Sequence, residues 1–281
     1  MQDAVIIDRP EPGFPSHRDL AELVAWRRML HRRPELSGEE KETANEVKQM
    51  LRRLGPEEIL DGLGGHGVAA VFAGREPGPT VMFRAELDGL PIEDRGVAEH
   101  RSQVAGKGHL CGHDGHMATL MALARALSRK RPQSGRVVLM FQPAEENGAG
   151  AAAVIASPAF ARVRPDWAFA LHNMPGRPFA SAGLAAGPVN CASRGMIVRL
   201  SGSPAHASQP ETGLSPANAV ARLLDAFCGL NRGKAPEPGF TMATVTHVEM
   251  GGRAFGIAPG EAEIWLTLRT LLDPHMAELA Q

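Results

Sequence analysis

Eight consecutive residues, His109-Leu-Cys-Gly-His-Asp-Gly-His116, carry three imidazoles, a thiol and a carboxylate, separated only by one leucine and two glycines. A thiolate beside imidazoles and a carboxylate is the donor set that zinc and its first-row neighbours select. Cys111 and His113 are two apart, which on a helix would turn them to different sides. In an extended segment side chains alternate, so His109, Cys111 and His113 would share one face. The spacing therefore predicts a short extended loop that brings Cys111 and His113 to one ion. A helix should follow at once, with Asp114 as its N-cap. Met117, Leu120, Met121, Ala124 and Leu127 form its apolar stripe, and Arg129-Lys-Arg131 before Pro132 marks its end. A solitary histidine is more often a satisfied surface or core residue, and a solitary cysteine a small buried hydrophobe. The metal reading thus depends on what other segments deliver to the same place.

Three short apolar runs supply the answer: Val81-Met-Phe83, Val137-Val-Leu-Met-Phe141 and Trp167-Ala-Phe-Ala-Leu171. Continuous apolar runs of this length suit buried parallel strands. The first leads into Arg84-Ala-Glu-Leu-Asp88, the second into Gln142-Pro-Ala-Glu145-Glu146, the third into His172-Asn173. In open α/β sheets the active site lies beyond the carboxyl ends of the strands. Asp88, Glu145, Glu146 and His172 are therefore expected at one sheet edge, with helices over 115–130 and 148–156 as crossovers. Two adjacent glutamates are ordinarily a solvated helix start. Beside Cys111 and His172 they permit a division of labour in which one ligates and the other takes a proton from water. Cys111, His113, one of the glutamates and His172, with a bridging water and another ligand, would hold two metals about 3.5–4 Å apart.

The elements that must position these groups begin after a polar, proline-rich stretch before Ser16, which reads as a surface tail. Leu20, Leu23, Val24 and Leu30 give a first helical stripe ending at Pro34. A second helix is expected over about Glu39–Leu54, with Gly55 as its stop. Gly62-Leu-Gly-Gly and Gly251-Gly252 read as turns. Residues 16–184 are thus an α/β catalytic domain with a central sheet. From about Gly187 the texture changes. Strands over Arg194–Leu200, Phe240–Met250 and Glu261–Thr270, a helix over Pro216–Asn231 and a helix start at Asp273-Pro274 give the order β-α-β-β-α. One further strand would complete a ferredoxin-like split βαβ unit, so residues 185–281 read as a small, incomplete α+β domain.

The 281 residues are 43% hydrophobic with a net charge of −1, which gives no electrostatic reason to expect nucleic acid or anionic membrane as partner. The N-terminus lacks the basic region and apolar core of a signal peptide. Three scattered cysteines, Cys111, Cys191 and Cys228, form no disulfide framework, and a cytoplasmic location is expected.

Several stretches occur in one order: His31-Arg-Arg-Pro-Glu-Leu-Ser, Arg84-Ala-Glu-Leu-Asp-Gly-Leu-Pro-Ile, Gly106-Lys-Gly-His-Leu-Cys-Gly-His-Asp-Gly-His, Phe141-Gln-Pro-Ala-Glu-Glu and Leu171-His-Asn-Met-Pro-Gly. This set resembles the amidohydrolase branch of the aminoacylase/carboxypeptidase di-metal metallopeptidases, which includes hippurate hydrolases and hydrolases of indole-acetyl amino-acid conjugates. Ser203-Pro-Ala-His-Ala-Ser with Pro210-Glu-Thr-Gly-Leu-Ser-Pro216 resembles the signature of that family's inserted lid domain. The resemblance implies hydrolysis of the amide bond of an N-acyl amino acid or related small amide. It implies Cys111, His113, Glu146 and His172 as ligands of two divalent metals (zinc, manganese or cobalt), and Glu145 as general base. Asp88 would support the site, and His206 would bind substrate or steady the oxyanion. It further implies a homodimer through the lid. His109 and His116 are candidates to orient ligands without touching metal.

Two departures stand out. Family members continue back into the catalytic domain, where a late histidine completes the site; His275, the last histidine here, is a poor substitute, so the chain reads as C-terminally truncated. Glu86 stands where an aspartate is common, and little is expected of it. The competing reading is an inactive or weakly metal-binding fragment. A thiol-redox role for Cys111 is disfavoured because no Cys-x-x-Cys exists.

Overall fold

The computed structural model describes residues 15–184, 186, 187 and 189–281; the proline-rich stretch read as a tail lies outside them, apart from residue 15. The chain divides into two compact units at Phe179/Ala180, slightly ahead of the expected boundary at 184/185. No helix among the described residues is long and apolar enough to cross a membrane.

In the first unit the order is α1 (His17–Arg32), α2 (Lys41–Arg52), β1 (Glu58–Leu63), β2 (Gly67–Ala73), β3 (Glu76–Glu86), α3 (His113–Arg129), β4 (Ser134–Gln142), α4 (Gly150–Ala156) and β5 (Trp167–Ala170). The sheet runs β1-β2-β4-β3-β5. As expected, β3 lies parallel to both β4 and β5. The antiparallel hairpin β1–β2, which adds to β4, is new relative to the sequence reading. Strand alternation builds two cores. Leu139 and Phe141 of β4 pack with Phe72, Trp26, Leu30, Val47, Leu51, Met117 and Met121 under α1, α2 and α3. Val138 and Met140 face the other way, onto Leu60, Leu63, Val154 and Val163. Each such buried side chain contributes about 1.5–3 kcal/mol of hydrophobic stabilisation.

The buried stripe of α1 is Leu23, Trp26 and Leu30. Leu20 and Val24, expected on it, are exposed. α1 starts with a capping box in which Ser16 and Asp19 bond each other's backbone N–H. Asp19 also accepts from Arg125 at 3.0 Å and Arg129 at 2.7 Å, which ties α1 to the back of α3.

The second unit contains β6 (Ala192–Ser201), β7 (Ala205–His206), α5 (Ala217–Cys228), β8 (Thr241–Met250), β9 (Ile257–Ala258), β10 (Glu261–Thr270) and α6 (Asp273–Leu279). Its main sheet is antiparallel in the order β6-β10-β8. Val220, Phe227, Ala243, Ile264, Leu266, Leu268 and Met276 form its core. α6 has Leu272 at its N-cap rather than Asp273, which opens the helix before Pro274.

Candidate metal centre

The parallel strands bring their carboxyl ends level, Glu86 of β3 opposite Gln142 of β4 and Arg84 opposite Ala170 of β5. The segments that leave them carry Asp88, Glu145-Glu146 and His172. α3 begins at the same edge with His113.

The entry into α3 differs from expectation. Gly112, not Asp114, occupies the N-cap, in the left-handed region at φ 94° with no side-chain cap. A Cβ at Gly112 would lie 2.6 Å from Asn173 Oδ1, so only glycine fits this turn. Asp114 instead lies buried in the first turn, where Oδ2 accepts from Arg27 Nε at 2.7 Å and His31 Nδ1 at 2.8 Å. The extended face shared by His109, Cys111 and His113 is accordingly absent, because the chain has already turned into helix at His113. His109 is buried, its ring 6.4 Å from that of His31. Neither of its nitrogens has a hydrogen-bond partner, and burial holds its pKa down at about 4.

Cys111 and His113 still converge across the turn. Cys111 Sγ lies 3.3 Å from His172 Nε2, and donor atoms of Cys111, His113 and His172 all fall within 4.8 Å of one another. His113 Nε2 is 3.7 Å from Glu145 Oε2 and 3.7 Å from Glu146 Oε1. The Glu145 side chain is 37% exposed, that of Glu146 18%. The adjacent glutamates therefore reach one imidazole, with one of them more open to solvent.

Both imidazoles use their remaining nitrogen in the same way. His113 Nδ1 donates to the Asp88 backbone carbonyl at 2.7 Å, and His172 Nδ1 to that of Asn173 at 2.9 Å. In the neutral ring such bonds place the proton on Nδ1 and leave Nε2 with its lone pair for the cluster, the arrangement that orients metal-ligating histidines. Asp88 itself is fully buried. Its Oδ2 accepts from Ser37 Oγ at 2.7 Å and from the backbone N–H of Glu146 at 2.9 Å. His113 Nε2, Glu146 Oε1 and Asp88 Oδ1 are buried without a hydrogen-bond partner. Each buried orphan of this kind costs about 1–3 kcal/mol. Sulfur, nitrogen and carboxylate donors that converge, with His113 Nε2 and Glu146 Oε1 orphaned, fit a divalent cation.

The electrostatics point the same way. Burial lowers the His113 pKa, but the bond to Asp88 and the charge of Glu86 outweigh it and hold the imidazole at about 9. Burial and the charges of Glu146 and Glu145 push the Cys111 thiol up to about 12. Burial and the neighbouring Glu145 charge raise Glu146, despite the opposing pull of His113. Asp88, penalised by burial yet bonded to His113, Glu146 and Ser37, is held at about 2. Cys111 and Glu146 thus hold their protons more tightly than usual, a state that a nearby cation relieves.

Glu86 has a larger part than its sequence context indicated. It is buried, bonds Arg84, and accepts from His116 Nδ1 at 2.7 Å. His116 Nε2 in turn lies 3.1 Å from the Asn173 backbone nitrogen and 2.7 Å from Asn173 Oδ1. A hydrogen-bonded chain thus runs from β3 through α3 to the residue after His172. His206 belongs to the second unit, where β7 pairs with β9. It is exposed, with Nδ1 2.7 Å from Ser208 Oγ.

With the geometry in hand, residues 82–273 match the family model described as peptidase family M20/M25/M40. The chain belongs to this family. Over 250 residues it is 34% identical to the N-acetyl-L-cysteine deacetylase of Bacillus subtilis, covering 89% of this chain and 59% of that protein. It is 31% identical to the IAA-amino acid hydrolase ILR1-like 5 of Arabidopsis thaliana, with 92% and 59% covered. Among solved structures, the YXEP protein of Bacillus subtilis, described as a dinuclear metal-binding peptidase of the M20 family, superposes with a TM-score of 0.68 at 29% identity. That match covers 94% of this chain and 68% of the other. The M20-family chain thus spans about three fifths of the length of the first of these relatives.

Two residues that the sequence reading passed over belong to the site's framework. Asn173 fills the space beside Gly112. Glu40 is fully buried and accepts from the Ala144 backbone N–H at 2.7 Å. The doublet Glu39-Glu40 at a helix start looks solvated in sequence, and nothing nearby shows that it crosses to a segment 104 residues later.

Proposed function

We propose that this M20-family chain carries the catalytic half of a metal-dependent amide hydrolase acting on N-acyl amino acids or related small amides. The observation that carries the reading is the pairing of Glu145 and Glu146 on one orphaned imidazole nitrogen, each 3.7 Å from His113 Nε2, beside the Cys111–His172 contact. Cys111, His113, Glu146 and His172 are the proposed donors to a pair of divalent cations, with zinc, manganese and cobalt as candidates. Bound cations supply the positive charge that acidifies water and polarises a carbonyl oxygen.

The chain's own residues divide the remaining work. Glu146, the less exposed glutamate and bonded through its N–H to Asp88, is held in place as a ligand. Glu145, the more open one, takes a proton from the attacking water at its carboxylate and returns it to the leaving nitrogen. Asp88 orients His113 through its carbonyl and Glu146 through Oδ2, without touching substrate. His206 is proposed to steady the tetrahedral oxyanion. That role rests on the resemblance of Ser203–Ser208 to the lid signature, as do the lid function of the second unit and a homodimer through it. The names of the relatives support an acyl amino acid as substrate. Three unpaired thiols are compatible with the cytoplasmic location expected of the chain.

The test is turnover of N-acetyl and N-benzoyl amino acids by the zinc- or manganese-loaded chain beside Glu145→Gln. The variant should keep its metal and lose about 10²–10⁴-fold in rate. Undiminished turnover in Glu145→Gln would remove Glu145 from the chemistry. The competing reading is a metal-binding chain without turnover. Metal uptake with no hydrolysis of any acyl amino acid would select it.

A further inference from the structure

Two adjacent residues on a continued strand would point to opposite faces. Glu145 and Glu146 nevertheless reach the same nitrogen, so the backbone before them must turn, and it does so at an unfavourable residue. Ala144 adopts φ 49°, one of only two non-glycine residues with positive φ among those described. L-residues with a Cβ resist this left-handed conformation and persist in it only where the surroundings hold them.

The holding contacts are specific. The Ala144 carbonyl accepts from Gly150 N at 2.9 Å. The Ala144 N–H donates to Glu40 Oε1 at 2.7 Å, and the next-but-one N–H, that of Glu146, donates to Asp88 Oδ2 at 2.9 Å. Glu40 stands at the N-cap of α2 yet makes no side-chain cap bond there. Its carboxylate is fully buried, and Oε2 has no hydrogen-bond partner. The first turn of α2 is capped by Glu35 instead, whose carboxylate accepts from the N–H groups of Glu42 and Thr43 at 3.1 and 2.7 Å, and the buried Glu40 carboxylate is left to bond the strained residue next to the glutamate pair.

We infer that Glu40 is a positioning residue: through the Ala144 N–H it holds the left-handed turn that aims Glu145 and Glu146 at His113. What the aim serves rests on the metal-hydrolase reading above, while the contact itself does not. Without Glu40, Ala144 relaxes toward the ordinary right-handed or extended regions and the two carboxylates separate. A glycine at 144 adopts the left-handed turn without steric penalty, so Ala144→Gly compensates for the loss of Glu40. A carboxylate that only helped pack the interior would not be replaced by deleting a methyl group on another segment.

The experiment uses the full 281-residue chain as wild type, Glu40→Ala, Glu40→Gln and Glu40→Ala/Ala144→Gly. Cobalt(II) titration, followed by the thiolate-to-cobalt absorption, reads the site. Amide hydrogen exchange of the metal-free protein reads the turn. Glu40→Ala should weaken cobalt binding about ten- to a hundredfold, the usual cost of removing a partner that orients ligands. Exchange at Ala144, Glu145 and Glu146 should accelerate more than at Leu139 in the middle of β4. Glu40→Gln keeps an acceptor oxygen and should stay near wild type. The double variant should recover most of the cobalt affinity lost in Glu40→Ala. Glu40→Asp, which keeps the charge but shortens the reach, replaces Glu40→Ala if that chain does not fold, with the same expected loss and the same rescue. Unchanged cobalt affinity in the variant, or a double variant no better than the single one, overturns the inference. If the wild-type chain takes up no cobalt, the metal reading falls instead, and local acceleration at 144–146, present or absent, alone decides the role of Glu40.

Discussion

The two units of this M20-family chain each lay helices on a sheet, yet they treat polar groups in opposite ways. In the first, Glu40, Glu86, Asp88, His109, His113, Asp114 and His116 are buried. In the second, Thr270 is the one fully buried polar residue among those described, and His275 adds a buried Nδ1 without a hydrogen-bond partner. Its one proposed functional side chain, His206, is exposed and braced by Ser208. Burying a charge is costly unless it is paired and bonded. For Asp88, Glu86, His116 and Asp114 the first unit meets that requirement with chains of contacts, Ser37–Asp88–Glu146, Arg84–Glu86–His116–Asn173 and Arg27–Asp114–His31, while His109 is buried unpartnered with its pKa held down. The donor cluster is thereby held by a rigid framework. The second unit is an apolar core with His206 at its surface.

This difference sets what perturbations of each unit should do to cation affinity. The largest effect should come from pH. In the metal-free chain His113 stays protonated up to about pH 9 and Cys111 up to about 12. Ligation requires both protons to leave. Affinity should therefore rise with pH at close to two decades per unit below about pH 9, about 10⁴-fold between pH 6 and 8. Isothermal titration in buffers of different ionisation enthalpy would count the released protons, and zero release would contradict the assignment of these ligands. Stability of the metal-free chain runs the other way. His113, raised from 6.5 to about 9, contributes stability that is complete below about pH 6.5 and lost as pH rises through about 9. Asp88, lowered from 3.8 to about 2, contributes above about pH 4, and its share is lost as pH falls through about 2.

A smaller effect is expected at Asp88, whose Oδ2 holds the backbone of the proposed ligand Glu146 while its carbonyl, which any residue supplies, holds His113. Asp88→Ala should reduce zinc affinity about 10–100-fold with Cys111, His113, Glu146 and His172 all intact. Competition with a chromophoric chelator measures this directly. An unchanged affinity would mean that the Asp88 carboxylate does not orient Glu146.

The smallest effect on affinity should come from the second unit. Ile264→Ala, in the centre of β10, should cost that unit about 2–5 kcal/mol in denaturant unfolding. Zinc affinity of the first unit should not move. A parallel loss of zinc binding would break the contrast between the units.

The sequence made the chemical edge of the first sheet legible because three continuous apolar runs end directly in Asp88, Glu145-Glu146 and His172. Their parallel pairing follows from the crossover helices between them. The hairpin β1–β2 stayed hidden: Glu58–Leu63 mixes charged and apolar residues without alternation, and Gly67–Ala73 is made largely of small ones. The start of α3 was misplaced because Asp114 has the chemistry of a cap, while its salt bridge to Arg27 depends on a helix far earlier in the chain. Glu40 and Glu86 were undervalued for the same reason. A lone glutamate looks solvated until the segment that buries it is known, and here that information is tertiary.

The central claim is that Cys111, His113, Glu146 and His172 form one cation-binding cluster. It is tested most directly by metal analysis of the purified 281-residue chain beside Cys111→Ala, after equal exposure to zinc and gel filtration. The account predicts about two equivalents of zinc in the wild-type chain, the stoichiometry of a paired site, and their loss in Cys111→Ala. A wild-type chain that retains no zinc, or a Cys111→Ala chain that retains as much as the wild type, would contradict it.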